Sequence, residues 1–142
     1  DTASLNLLVE TMLDSGGKGV HAMRDPTRGG LAAVLNEFAE AAGVGIEIQE
    51  KSIPVNAPVA GACELLGLDP LYVANEGKLV AAVAPEVVGR VLEEMHRNPL
   101  GQDAVVIGEV APRRRPLVSM KTRIGGMRIV DMLVGEQLPR IC

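Results

Sequence analysis

Aromatic residues are nearly absent from this chain of 142 residues, which contains one Phe, one Tyr and no Trp. The interior must therefore be packed with aliphatic side chains and Met. Hydrophobic residues make up 47% of the sequence, which is enough for a core that needs neither disulfides nor metal. Only two cysteines are present, Cys63 and Cys142, so we expect no disulfide framework and a reducing, cytoplasmic environment.

A basic surface and long apolar runs are also lacking. The 14 Lys and Arg residues are outnumbered by 18 Asp and Glu, and the net charge of −4 argues against a nucleic-acid partner, which would need a basic face. No apolar run approaches the ~18 residues of a membrane span, and no signal peptide is recognised. We therefore expect neither nucleic acid nor a membrane as a partner.

Hydrophobic periodicity predicts both helices and strands. The predicted helices cover residues 4–14, 29–42, 58–66 and 85–97, and the predicted strands cover residues 20–23, 44–48, 71–74, 79–84, 104–110 and 116–120. The pattern weakens from residue 125 onward. This irregular alternation predicts an α/β (α+β) fold in which helices are layered on a mixed β-sheet, and it disfavours a doubly wound nucleotide-binding fold.

A glycine loop, defined as residues 25–30 (D-P-T-R-G-G), leads into the clearest predicted helix. Thr27 is a suitable N-cap, and Gly29 and Gly30 would expose backbone N–H groups at the positive end of the helix dipole. Such an N-terminus suits phosphate, to which Arg28 would add a charged fork. The alternative is a plain strand-to-helix turn whose glycines allow close packing, and the residues alone leave both possibilities open.

Two further positions carry groups that could react. Glu76 stands between Asn75 and Gly77, where a carboxylate at a strand end can act as a base, although an ordinary solvated turn is the simpler interpretation. Cys63 lies among apolar residues of a predicted helix, and we expect a buried, inert thiol. The two histidines are far apart in the sequence and have no ligand-like neighbours, so we predict no metal site.

The last residue of the sequence is Cys142. A thiol at the tip of a tail can enter and leave another active site, as an anchored interior residue cannot; the alternative is a coincidence of where the chain stops. We expect no prenylation, because that modification needs a Cys fourth from the end. The first residue is Asp1 and a helix begins almost at once, so we expect the sequence to be a piece of a longer protein.

Residues 23–31 (M-R-D-P-T-R-G-G-L) resemble the second half of the aminoimidazole ribonucleotide (AIR) synthetase superfamily, which also includes selenophosphate synthetase and thiamine-monophosphate kinase. The ending Pro139-Arg140-Ile141-Cys142 resembles the HypE family of hydrogenase maturation factors within that superfamily. The resemblance extends over the whole chain and includes residues 75–77 and 125–133.

The resemblance implies a function in which Cys142 receives a carbamoyl group from the carbamoyltransferase HypF. ATP, with Mg²⁺, would then drive dehydration of this group to a thiocyanate, and the nitrile would pass to iron on the HypC–HypD complex as a cyanide ligand of [NiFe]-hydrogenase. Glu76 would be the base for this dehydration. The residues placed near the ATP phosphates by the family motif are Asp25, Thr27, Arg28, Gly29 and Gly30.

The resemblance also implies a domain organisation. Residues 1–130 would form an AIR-synthetase-related C-terminal domain, and residues 131–142 a mobile tail that carries Cys142. A preceding N-terminal domain, which would supply most of the ATP and magnesium site and the homodimer interface, is absent from this sequence, so we expect the isolated chain to be inactive. Two alternatives remain: a partner-docking module with an incidental Cys142, or a domain of a related ATP-dependent enzyme such as selenophosphate synthetase.

Overall fold

The computed structural model describes residues 3–112 and 115–132. The helices are α1 (Asn6–Gly16), α2 (Gly30–Ala42), α3 (Ala57–Leu66) and α4 (Pro85–Arg97), and the strands are β1 (Val20–Arg24), β2 (Gly45–Gln49), β3 (Val80–Val83), β4 (Gly108–Ala111), β5 (Leu117–Lys121) and β6 (Met127–Ile129). Helices thus combine with mixed sheets, as predicted. Within these ranges no helix is both long and apolar enough to cross a membrane.

The chain folds into two compact units. The first contains the residues before Pro26 together with Glu76–Val105. In it, β1 and β3 pair antiparallel, with Arg24 opposite Val80, and α1 packs against α4. Leu8, Met12 and Val91 are buried on these two helices. A core of this kind needs no aromatic side chain.

The second unit contains Pro26–Asn75 and the chain from Val106 onward. Its four-stranded sheet has the order β4-β2-β5-β6. The central pair, β2 and β5, is parallel, and both outer pairs are antiparallel. Ile46 and Ile48 lie opposite Val118 and Met120, and all four are buried on strands that contact α2. One face of the sheet and α2 therefore enclose the core.

The predicted strand at residues 71–74 is wrong. Pro70–Tyr72 forms a 3-10 turn instead, and the Asp69 carboxylate accepts a hydrogen bond of 3.0 Å from the backbone N–H of Leu71. Proline fixes its own φ and donates no ladder hydrogen bond, while an Asp side chain that bonds the backbone locally competes with strand pairing. Together, the effects of Pro70 and Asp69 outweigh the preference of the short apolar run at residues 71–74 for a strand.

The strands near the end of the described chain also differ from the prediction. The strand predicted at residues 104–110 is confined to β4, and β6 was not predicted at all. β6 has only three residues, all of them exposed, so its Met-Arg-Ile alternation is too short to indicate a strand. It is positioned by a tight turn from β5, in which Thr122 donates its backbone N–H to Gly126 at 2.8 Å.

Gly30 brings the start of α2 into direct contact with the 3-10 turn. A Cβ atom at Gly30 would lie 2.5 Å from the carbonyl oxygen of Leu71 and 2.7 Å from that of Val73. Its φ of +62° is also in the left-handed region that disfavours other residues. Both the backbone conformation and the available space therefore require glycine at this position.

We predict that Gly30→Ala destabilises the protein by about 1–3 kcal/mol more than Gly43→Ala, which is the usual cost of overpacking. Gly43 is the matched control, because its φ is +66° but nothing lies within 4 Å of its hypothetical Cβ. The free energies of unfolding are to be measured by urea denaturation. Equal losses for the two variants would show that the close approach at Gly30 does not constrain the fold.

Candidate functional site

The glycine loop connects β1 to α2. Asp25 and Arg28 are exposed and Thr27 is half-buried. The expected N-cap at Thr27 is wrong, because the cap residue is Gly29, which makes no side-chain capping bond. Gly29 and Gly30 both have a left-handed backbone, so the helix starts later than a Thr27 cap would require. The first N–H groups of a helix have no intrahelical acceptor, and this end of α2 presents them beside two residues without side chains.

The segment that contains Glu76 meets the glycine loop through the main chain. The backbone N–H of Asn75 donates to the carbonyl oxygen of Pro26 at 2.9 Å. Asp25 and Glu76, the next residues along each segment, both belong to the first unit. The Glu76 side chain is half-buried, and Gly77 has a φ of +68°. The main chains of the two segments therefore meet at Asn75 and Pro26, within the second unit.

These residues suit a phosphate group better than a metal ion. A helix N-terminus with flanking glycines and an exposed Arg28 is a favourable environment for an anion. By contrast, residues 3–112 and 115–132 contain no group of three His, Cys, Asp or Glu side chains that could hold a metal ion. Cys63 is buried, as predicted.

The predicted tail begins immediately after a well-anchored residue. Val130 is fully buried, its N–H donates to the carbonyl oxygen of Val118 at 2.9 Å, and its own carbonyl oxygen accepts a bond of 2.8 Å from the side-chain amide of Asn36. The chain is therefore attached to both β5 and α2 at this point. Residues 133–142, which include the predicted Cys142, lie outside the described residues.

A second set of polar contacts links β6 to the 3-10 turn. The Arg128 guanidinium forms an ion pair of 2.7 Å with Asp69, and Tyr72 lies near enough to Asp131 and Arg128 for both to influence the pKa of its hydroxyl. Sequence reasoning missed these residues, because it assigned this turn to a strand. The Asp69-Pro70 dipeptide, a common turn signal, would have been the clue.

Burial is the main reason why the pKa of Tyr72 is raised above 10.0. The nearby carboxylates of Asp69 and Asp131 act in the same direction, while the positive charge of Arg128 and the hydrogen bond from the Asp131 main chain oppose them. The hydroxyl therefore stays protonated in the folded protein at a pH where the unfolded chain begins to lose this proton.

Residues 1–121 match the model of a known protein family, described as "AIR synthase related protein, C-terminal domain". The chain belongs to this family. The match confirms the superfamily resemblance that the sequence suggested, and the mixed α/β architecture agrees with it.

Individual members of the AIR synthase related family match the chain over its whole length. Carbamoyl dehydratase HypE of Bradyrhizobium diazoefficiens is 60% identical over 142 residues, which are 100% of this chain and 41% of that protein. The HypE of Rhizobium leguminosarum bv. viciae is 56% identical, with the same coverage of 100% and 41%. The chain thus spans about two fifths of the length of these curated relatives.

Solved structures of HypE proteins also match this chain. A crystal structure of hydrogenase maturation protein HypE matches with a TM-score of 0.92 and 44% identity, covering 99% of this chain and 46% of that one. HypE in complex with ATP matches at 0.91 and 43% identity, covering 99% and 43%. HypE in a HypE–HypF complex matches at 0.87 and 44% identity, covering 94% and 43%. The predicted resemblance to HypE is confirmed.

The raised pKa of Tyr72 predicts a stability loss in alkali that Tyr72→Phe should lack. The contribution of this hydroxyl is fully present below the unfolded pKa of about 10 and is lost as the pH rises through the higher folded pKa. Urea unfolding from about pH 8 to about pH 11 should show a steeper decline for the wild type than for Tyr72→Phe. Parallel declines would mean that Tyr72 titrates alike in both states.

Proposed function

We propose that this chain is the C-terminal part of an ATP-dependent carbamoyl dehydratase that makes the thiocyanate precursor of the cyanide ligands of [NiFe]-hydrogenase. The observation that carries the proposal is the position at which the Cys142-bearing segment leaves the domain. Val130 is bound by Asn36, which is six positions after Gly30 on the same helix, or about 9 Å at 1.5 Å per residue.

The remaining chain is long enough to bring the thiol to the glycine loop. Residues 133–142 comprise ten residues, which span up to about 33 Å when extended at ~3.3 Å each. This reach exceeds the separation along α2 several-fold. Cys142 would therefore serve as a carrier on which the product is built, and the same reach would allow it to meet a partner enzyme.

The chemistry assigns distinct roles to Cys142 and Glu76. The Cys142 sulfur accepts a carbamoyl group and becomes a thiocarbamate. ATP phosphorylates the carbamoyl oxygen with release of ADP, the C–O bond then breaks with loss of phosphate, and both protons leave the nitrogen, which produces the thiocyanate. Glu76, which is half-buried beside the main-chain junction of the two motifs, is proposed as the base that removes a proton from this nitrogen.

The glycine loop is proposed to contact the phosphates of ATP, which is consistent with the HypE structure determined with ATP. Arg28 would pair with phosphate oxygens, and the backbone N–H groups of Gly29 and Gly30 at the start of α2 would face them. Asp25 and Thr27 would organise the loop. As the resemblance implies, we propose that ATP and magnesium are held mainly by the N-terminal domain of the full-length protein.

The partners are part of the same proposal. The HypE–HypF complex supports HypF as the carbamoyl donor for Cys142, and HypC–HypD is proposed as the acceptor of the nitrile. The homodimer interface and most of the ATP site would lie in the N-terminal domain. A reducing cytoplasm would keep the Cys142 thiol available for the reaction.

In the full-length protein, we predict that Cys142→Ala abolishes formation of the adduct. The protein is to be incubated with HypF and a carbamoyl donor, and the C-terminal peptide analysed by mass spectrometry. Cys63→Ala is the matched control and should still acquire the adduct, because the Cys63 thiol is buried. A carbamoyl or thiocyanate adduct at the wild-type level on the Cys142→Ala variant would refute the carrier role.

For Glu76→Gln in the full-length protein, carbamoylation of Cys142 should be normal, while subsequent dehydration slows by about 100-fold or more, the usual effect of losing a general base. The carbamoylated peptide should therefore accumulate in the presence of ATP. Glu10→Gln, on an exposed position of α1, is the control and should dehydrate at the normal rate. Unchanged dehydration by Glu76→Gln would assign the base to another residue.

A further inference from the structure

We propose that Asn36, Asp69, Tyr72 and Arg128 form a tail anchor, a set of positioning residues that fixes the chain around Val130, from which the Cys142-bearing segment continues, relative to the glycine loop. This inference rests on the proposed function and deepens it, because it names residues that control delivery of the thiol. None of the four has to touch the carbamoyl group or ATP. They act on the place where the segment begins.

The first half of the tail anchor is the side-chain amide of Asn36. Its nitrogen donates to the carbonyl oxygen of Ala32 at 2.9 Å and to that of Val130 at 2.8 Å. An amide group has two N–H donors, so both are used, one toward the helix itself and one toward the departing chain. Because Val130 is also fully buried, its main chain has little freedom to shift relative to α2.

The second half is centred on Asp69, whose two carboxylate oxygens have different partners. One accepts the N–H of Leu71 at 3.0 Å, and the other pairs with the guanidinium of Arg128 at 2.7 Å. Tyr72 lies near enough to Asp131 for that residue to influence the pKa of its hydroxyl. The 3-10 turn therefore holds the chain at Arg128, two residues before Val130, and faces it again at Asp131.

The same turn is also in contact with the glycine loop. The carbonyl oxygens of Leu71 and Val73 lie where a Cβ of Gly30 would be, so the first residue of α2 rests on the turn that binds Arg128 and faces Asp131. A displacement of this turn would shift the loop and the origin of the tail together. The glycine loop and the chain that precedes the tail are thus attached to the same turn.

The exposure of the ion pair favours positioning over stabilisation. The side chains of Asp69 and Arg128 are 28% and 42% exposed, and ion pairs that are open to solvent contribute little to the free energy of unfolding. A pair that adds little stability but joins two chain segments at a defined geometry is well suited to orienting the Cys142-bearing segment.

The experiment uses the full-length protein with Cys142 already carbamoylated and measures dehydration in a single turnover. Arg128→Gln and Tyr72→Phe should each slow the step by about three- to tenfold, the effect of losing one hydrogen bond or ion pair, without changing the ATP concentration for half-maximal rate or the rate of carbamoylation. Arg128→Lys, which retains the charge, should recover most of the rate.

Arg97→Gln is the matched control, because Arg97 also forms exposed ion pairs, with Glu93 and Glu94, but lies on α4. It should dehydrate at the wild-type rate. If Arg128→Gln and Tyr72→Phe also matched the wild type, or if they changed ATP dependence and carbamoylation equally, the anchor would be refuted. Tyr72→Phe removes a single hydroxyl, so it tests the idea even if Arg128→Gln folds poorly.

A second measurement separates this inference from the proposed function. The rate at which iodoacetamide alkylates the uncarbamoylated Cys142 is compared with and without a non-hydrolysable ATP analogue. We expect the analogue to change that rate by about threefold or more in the wild type, and to have a smaller effect in Arg128→Gln. An equal effect in both proteins, or no effect in the wild type, overturns the anchor, whereas a wild type that never acquires carbamoyl overturns the function.

Discussion

The close approach of Gly30 to the backbone of the 3-10 turn is the constraint on which the second unit depends. The carbonyl oxygens of Leu71 and Val73 occupy the space that a Cβ would need, so α2 can begin only where it does. From that starting point α2 covers the buried face of β2 and β5 and carries Asn36 to Val130. A steric requirement at one residue thus determines both where the glycine loop ends and where the last described strand is attached.

The parts of the fold that could be predicted are those with strong local signals. The bounds of α4 were predicted correctly, because Pro85 occupies its first turn and apolar residues recur at helical spacing. The 3-10 turn at Pro70–Tyr72 was mistaken for a strand, since a four-residue apolar run carries little periodicity and a local Asp69 bond decided the outcome. β6 is stabilised by pairing with β5, which a local pattern does not encode.

The sequence predicted which residues could form the candidate site, but it did not predict how their segments come together. The glycine loop and Glu76 carry recognisable chemistry, but the hydrogen bond from Asn75 to Pro26 that joins their segments connects positions that no short window contains. Asn36, Asp69 and Arg128 are single polar residues, and their importance appears only when their partners are known. For that reason, the polar contacts around Val130 could be identified only from the structure.

The scarcity of aromatic residues has a practical consequence at the Pro70–Tyr72 turn. Tyr72 is the only Tyr in the chain, and there is no Trp. The near-ultraviolet absorption and the intrinsic fluorescence of this chain therefore arise almost entirely from a single ring, which lies beside Asp131 and Arg128. The chain thus carries its own spectroscopic reporter at the point where the last described residues leave the domain, and it requires no attached dye.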